Sequence, residues 1–249
     1  YILIVEGSIP TGANGAYCTT GGESAMESCK KLVQNAAATI CVGSCASFGG
    51  IPAAAPNPTD AKSVSEIVPG AAIVNLPGCP VNADNLTATI VHFLTFGKLP
   101  AVDRLGRPKF AYGKRIHDNC ERRGHFDAGQ YAEAFGDVAQ RQGHCLYKLG
   151  CKGPETFHNC PTVRYNEGTS WPVMAGHGCI GCSEPGFWDT MSPFYRRLPK
   201  VPGFGIEDTA DKIGIGLAAA TAVAFGVHGV ASCFRKGDAM EEDKVVKED

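Results

Sequence analysis

Residues 1–98 are patterned as short apolar runs separated by longer mixed stretches. The runs at 1–5, 37–42 and 71–76 contain no charged side chain and read as buried parallel strands. Between them, 23–34 and 82–96 read as helices, so strands and helices alternate as in parallel βαβ units of an α/β domain. Each predicted strand runs into a loop rich in Gly, Ser or Pro: EGSIPTGANG, GSCASFGG and PGCPVN. In an open parallel sheet such loops converge on one crevice, where sites are built. Cys45 and Cys79 lie in two of these loops and are expected to meet there.

The pattern changes after residue 98. Over 99–200 the apolar periodicity fades while Gly, Pro, Cys, His and aromatics rise, which predicts an irregular domain folded around something bound. Residues 198–208 read as a Pro/Gly linker. The stretch 213–232 then contains no Asp, Glu, Lys or Arg. As a helix it spans about 30 Å, enough for one bilayer core, and a buried or interfacial helix is the alternative. Lys and Arg flank it on both sides: Arg196, Arg197, Lys200 and Lys212 before, Arg235, Lys236, Lys244 and Lys247 after. The last residues, EEDKVVKED, read as a polar tail. The chain opens directly on an apolar run, and a segment is expected to precede Tyr1.

Composition narrows the chemistry. A formal charge of −2 argues against a nucleic-acid binder, which would present a net basic surface. A hydrophobic share of 44% allows a sizeable core, so the fold does not depend on disulfide staples. Twelve cysteines then favour metal over disulfides. From Lys98 to Arg123 the chain carries eight Lys/Arg and three Asp/Glu. That is either a solvated face or a positive field beside an anionic group.

The cysteines fall into short spacings. HDNC sets His117 and Cys120 three apart, and CLYKLGC sets Cys145 and Cys151 six apart. Cys160 follows in NCP, then Cys179 and Cys182 in GHGCIGC. Cys79 and Cys160 are each followed by Pro, as in some iron–sulfur loops. On spacing alone a zinc site remains open, built from Cys179, Cys182, Cys160 and either His158 or His177. Cys29 in a predicted helix and Cys41 in a predicted strand read as small buried hydrophobes. Cys18 has no matched partner, Cys233 ends the apolar helix, and His92, His125 and His144 read as structural.

Taken in order across residues 4–194, VEGSIP, GSCASFGG, PNPT, PGCP, IHDNC, HCLYKLGCKGPETFHNCP and AGHGCIGCSEPGFWD resemble the small, electron-transferring subunit of nickel–iron hydrogenases. The resemblance implies a flavodoxin-like parallel-sheet domain over 1–98, N-terminally incomplete. An iron–sulfur-binding domain over 99–200 would follow, then a linker, a transmembrane anchor helix (about 213–232) and a tail over 201–249. It implies a distal 4Fe–4S cluster on His117, Cys120, Cys145 and Cys151, and a medial 3Fe–4S cluster on Cys160, Cys179 and Cys182. Cys45 and Cys79 match two ligands of a proximal 4Fe–4S cluster whose other two ligands are expected upstream of Tyr1. Gly178 stands where a Cys would supply the medial cluster with a fourth ligand. Gly50 stands where oxygen-tolerant members carry an extra Cys, so an oxygen-sensitive enzyme is expected. The NiFe centre would belong to the large subunit, and the acceptor would be a membrane cytochrome b. The chain would lie on the periplasmic side of the cell membrane. The competing readings are a zinc-stabilised, membrane-tethered binding module without redox activity, and an independent ferredoxin-like carrier.

Overall fold

Strand Ala38–Val42 is buried along its whole length because it has a parallel neighbour on each side, Ile2–Glu6 and Ile73–Leu76. Ile40 pairs with Ile4 on one side and Val74 on the other. The computed structural model that shows this describes residues 1–198 and 215–232. Strand Ile2–Glu6 departs from expectation. Among the described residues it has a neighbour on one side, and Ile4 is 48% exposed. Its apolar sequence signals pairing but not full burial.

Two helices cover the sheet. Ala25–Asn35 is started by Ser24, whose Oγ accepts from Glu27 N at 3.2 Å. Its onset lies beyond the expected one because Glu23–Ser24 pairs with Thr19–Thr20 in a small antiparallel ribbon. The helix buries Cys29 and Val33 against Cys41, Ala46 and Val64. Cys29 and Cys41 are thus core side chains, as their positions predict. Ala83–Phe96 is started by Asn82, whose Oδ1 accepts from Asp84 N at 3.0 Å and Asn85 N at 3.3 Å. Gly97 ends it at φ 64°, the left-handed cap that glycine adopts without strain. Leu86 and Ile90 pack against Ile40, Val42, Val74, Leu76 and Tyr112.

The region after residue 98 is built from short turns such as Lys109–Tyr112, Ile116–Asn119 and Cys160–Val163. Their core joins Ile116, Ala132, Leu146, Leu149, Trp171 and Val173 with Cys160 and Cys179. Hydrophobic packing here is organised around cysteines, which is why no helical or strand period shows in the sequence. Tyr1–Pro199 form one unit and Lys200–Asp249 a second. In the second, helix Ile215–Ser232 has 18 residues and a mean hydropathy of 1.6. At 1.5 Å per residue it is about 27 Å long, so length and composition suffice to cross a bilayer core. The rest of the expected linker and helix start (199–214), the tail, Cys233, Lys200, Lys212, Arg235, Lys236, Lys244 and Lys247 lie outside the described residues.

Candidate cofactor site

The carboxyl ends of the central strands do bring two predicted loops together. Cys45 sits not in a loop, as expected, but in helix Gly43–Phe48, where small side chains let the chain turn straight from strand into helix. The neighbouring Ser44 ties the crevice. Gly78 N donates to Ser44 Oγ at 2.9 Å, Ser44 N donates to Gly78 O at 3.0 Å, and Ser44 Oγ donates to Cys182 O. Cys45 and Cys79 lie within electrostatic reach of each other, as do Cys79 and Cys182. Gly50 abuts Cys45 so closely that an added Cβ would lie 2.5 Å from its Sγ.

Beyond this crevice, Cys79, Cys160, Cys179 and Cys182 line a cavity of about 440 Å³, with Ile116, Tyr165, Trp171, Val173 and His177 as further wall. A second, tighter cavity of about 20 Å³ is lined by His117, Cys120, Cys145 and Cys151, with Arg122 and Arg123. Ile116 and Val173 border both. The expected distal set thus shares one pocket, and the expected medial set shares the other with Cys79, which was expected at the proximal site. The two sets are also stitched together: Cys179 N donates to Cys151 Sγ at 3.3 Å, and Lys152 N donates to Cys179 O at 2.7 Å.

The donor chemistry around these thiols suits thiolates. Arg122 N donates to Cys120 Sγ at 3.4 Å and Gly181 N to Cys179 Sγ at 3.4 Å. Further backbone N–H groups face sulfur: Ile51 to Cys45, Tyr147 to Cys145, Gly153 to Cys151 and Cys79 to Cys182. Amide donors stabilise a charged sulfur. Burial opposes them and, as the dominant effect, pushes the thiols up: Cys160 and Cys145 to about 12, Cys120 and Cys182 to about 11. Ionisation of this set therefore needs a cation in the pocket. Burial, and then Arg123, lower His117 to about 4, leaving a neutral imidazole able to act as a ligand. Arg122, buried, donates Nε to Val173 O at 3.1 Å and Nη1 to His144 O at 2.8 Å, so one cation of the basic stretch is fixed at the pocket wall. Arg115, by contrast, pairs with Asp118 at 3.2 Å at the surface.

Two competing arrangements fare poorly. The cysteines among the described residues are all free thiols. No three His, Cys, Asp or Glu side chains among the described residues converge as they would on a single metal ion. His158 does not share a tetrahedron with the cysteines but points Nδ1 at Cys160 Sγ, 3.0 Å away. His177 bonds through Nδ1 to Gly178 O at 2.8 Å. The thiols are spread around cavities, which suits a multi-iron inorganic core better than one zinc ion.

Pattern alone did not single out Arg107, Tyr112 and Tyr165. Arg107 is buried, pairs with Asp103 and Glu184 at 2.9 Å each, and donates to Ser183 O at 3.0 Å, one residue beyond Cys182. Tyr112 donates to Pro77 O at 2.8 Å, two residues before Cys79. Tyr165 donates to Pro80 O at 3.2 Å and holds its hydroxyl 3.9 Å from Cys160 Sγ. The one sequence signal was placement: each lies in a segment flanked by Gly, Pro or Cys.

A parallel sheet with cysteines at its carboxyl ends, continued by thiol-lined pockets, defines a redox-cofactor-holding class of protein. Comparison with known proteins sharpens this. Residues 1–93 match the model described as NADH ubiquinone oxidoreductase, 20 Kd subunit. Residues 112–195 match the model for the C-terminal part of the NiFe/NiFeSe hydrogenase small subunit. The quinone-reactive Ni/Fe-hydrogenase small chain of Wolinella succinogenes is 51% identical over 244 residues, covering 95% of this chain and 69% of that one. The uptake hydrogenase small subunit of Azotobacter vinelandii is 50% identical over 236 residues, covering 95% of this chain and 66% of that one. The chain therefore spans about two thirds of the length of these relatives. Among solved structures, the NiFeSe hydrogenase of Desulfomicrobium baculatum matches with a TM-score of 0.72 at 37% identity, over 80% of this chain and 76% of that one. The chain belongs to the small-subunit family of NiFe hydrogenases.

Proposed function

We propose that this chain carries electrons from the NiFe centre of a hydrogenase large subunit to a membrane acceptor. His117, Cys120, Cys145 and Cys151 would hold a distal 4Fe–4S cluster, and Cys160, Cys179 and Cys182 a medial 3Fe–4S cluster. Cys45 and Cys79 would supply two thiolates to a proximal 4Fe–4S cluster. When bound, these clusters supply one-electron carriers. The protein's part is to space them, exclude water and set their potentials through charge and hydrogen bonds. His117 would contribute a neutral ligand where the other positions contribute thiolates, leaving the distal site one charge less negative. Arg122 adds a fixed positive charge beside it. Both favour the reduced state at the end of the relay.

The observation that carries this reading is the sorting of the thiols and His117 into two adjoining pockets under backbone donors. Helix Ile215–Ser232 supports anchoring in the cell membrane. A relative named quinone-reactive supports a membrane acceptor, for which we propose a cytochrome b, with the chain on the periplasmic side. The test is anaerobic purification with co-purifying partners, followed by iron, acid-labile sulfide and zinc analysis and EPR of the oxidised sample. Iron with sulfide and a 3Fe–4S signal lost in Cys160→Ser is expected, together with a nickel-containing large subunit. Zinc without sulfide would overturn the proposal in favour of a zinc-held module.

A further inference from the structure

The thiols of the medial set are not equally served by hydrogen bonds. Cys179 receives Gly181 N, and Cys182 receives Cys79 N. Cys160 has its own backbone N–H beside it and is faced in addition by two side chains, His158 and Tyr165. The Tyr165 hydroxyl commits its proton to Pro80 O. Among the side chains that leaves the imidazole of His158, with Nδ1 3.0 Å from Cys160 Sγ.

His158 is held firmly for this task. It is 2% exposed, its backbone N donates to Lys114 O at 3.2 Å, and its ring meets Tyr112 edge-on at 4.8 Å and 86°. Tyr112 is in turn fixed by its bond to Pro77 O. The other ring nitrogen, Nε2, has no hydrogen-bond partner among the described residues. A thiolate ligand has no proton to give, so with Cys160 ionised the contact forms only if Nδ1 carries the hydrogen. That tautomer leaves Nε2 as a bare lone pair rather than a stranded N–H.

We propose that His158 is a positioning and tuning residue of the medial cluster, donating Nδ1–H to the sulfur of Cys160. This rests on Cys160 being a cluster ligand. A donor to a ligand sulfur withdraws charge and stabilises the more negative, reduced cluster over the oxidised one, raising its potential.

The test uses the complete complex with its large subunit and an EPR-monitored redox titration of the medial signal. His158→Phe keeps a ring against Tyr112 but removes the donor. It should lower the medial midpoint by roughly tenfold in the ratio of reduced to oxidised cluster, about 59 mV for one electron. His158→Asn returns an N–H near the Nδ1 position and should restore most of the shift, while the other clusters stay unmoved. A His158→Phe complex with full iron and sulfide and an unchanged midpoint overturns the proposal. If that variant does not assemble, isotope labelling of imidazole nitrogen in the wild-type complex decides the matter. A weak nitrogen coupling on the medial resonance supports the bond, and none refutes it. A medial signal that survives Cys160→Ser would instead show that the ligand assignment beneath the proposal is wrong.

Discussion

Replacing Arg107 by Met should be among the most damaging single changes outside the ligand set. The guanidinium is 5% exposed and bonds Asp103 and Glu184, whose side chains are 22% and 13% exposed. It also donates to Ser183 O and lies over the Tyr112 and Phe157 rings at 5.6 and 5.7 Å. Met fills much of the volume, so the main effect is two carboxylates that lose their cation and keep only backbone donors, from Leu105 and position 107 to Asp103 and from Phe157 to Glu184. Removing one partner of a buried pair costs about 3–5 kcal/mol. For a chain of this size that corresponds to roughly 6–20 °C in the unfolding midpoint. Differential scanning calorimetry at a fixed scan rate measures it. The double variant Arg107→Met with Glu184→Met should recover part of the loss, because the more deeply buried carboxylate is then gone. A single variant within about 1 kcal/mol of the parent would refute the reasoning. So would a double variant whose losses simply add.

Other expectations follow from the same geometry. Tyr112→Phe leaves Pro77 O without its donor and should cost about 1–3 kcal/mol, seen in the same calorimetry. Gly50 sits at φ 63° and ψ −161° with Cys45 Sγ 2.5 Å from an added Cβ. Gly50→Ala should therefore displace Cys45 and cost about 1–3 kcal/mol in backbone strain alone. Iron analysis and the EPR signal of the proposed proximal cluster would report the displacement, and full iron with an unaltered signal would count against it. Burial pushes the Asp103 carboxyl up, but bonds from Arg107 and Leu105 outweigh it and hold the group below 3.8. Its stabilising contribution is therefore complete above that value and is lost as pH falls through the lower folded value. Arg107→Met removes that contribution, so the stability gap to the parent should narrow as pH falls below the ordinary carboxylate value, and a gap that does not change with pH would contradict the pairing.

The central sheet was legible because strand Ala38–Val42 carries no charge and alternates with two stretches of helical pattern, 23–34 and 82–96. The single neighbour that Ile2–Glu6 has among the described residues was not legible, since an apolar run looks the same with one neighbour or two. The helix carrying Cys45 was hidden by GSCASF, whose small residues read as loop but pack tightly under the sheet. Among the site residues, short spacings marked His117, Cys120, Cys145 and Cys151 as candidate ligands, the family resemblance grouped them, and the structure gathers them in one pocket. Arg107 was invisible because its partner Glu184 lies 77 residues away, and no local period encodes such a pairing. His158 was visible only as a candidate zinc ligand. Its contact with Cys160 depends on Tyr112 fixing the ring, which is a tertiary fact.

The weave of Cys179 and Cys182 against Cys151 and Cys79 has a consequence for synthesis. These are the last-made of the thiols in the pockets, yet they wall in groups translated as much as 103 residues earlier. While the ribosome is still adding residues, Cys79 and Cys151 lack the backbone segments that later shield them. A cluster proposed for these pockets can therefore be walled in only after Cys182 has been made. A product terminated before Cys179 would leave thiols of more than one pocket open to air.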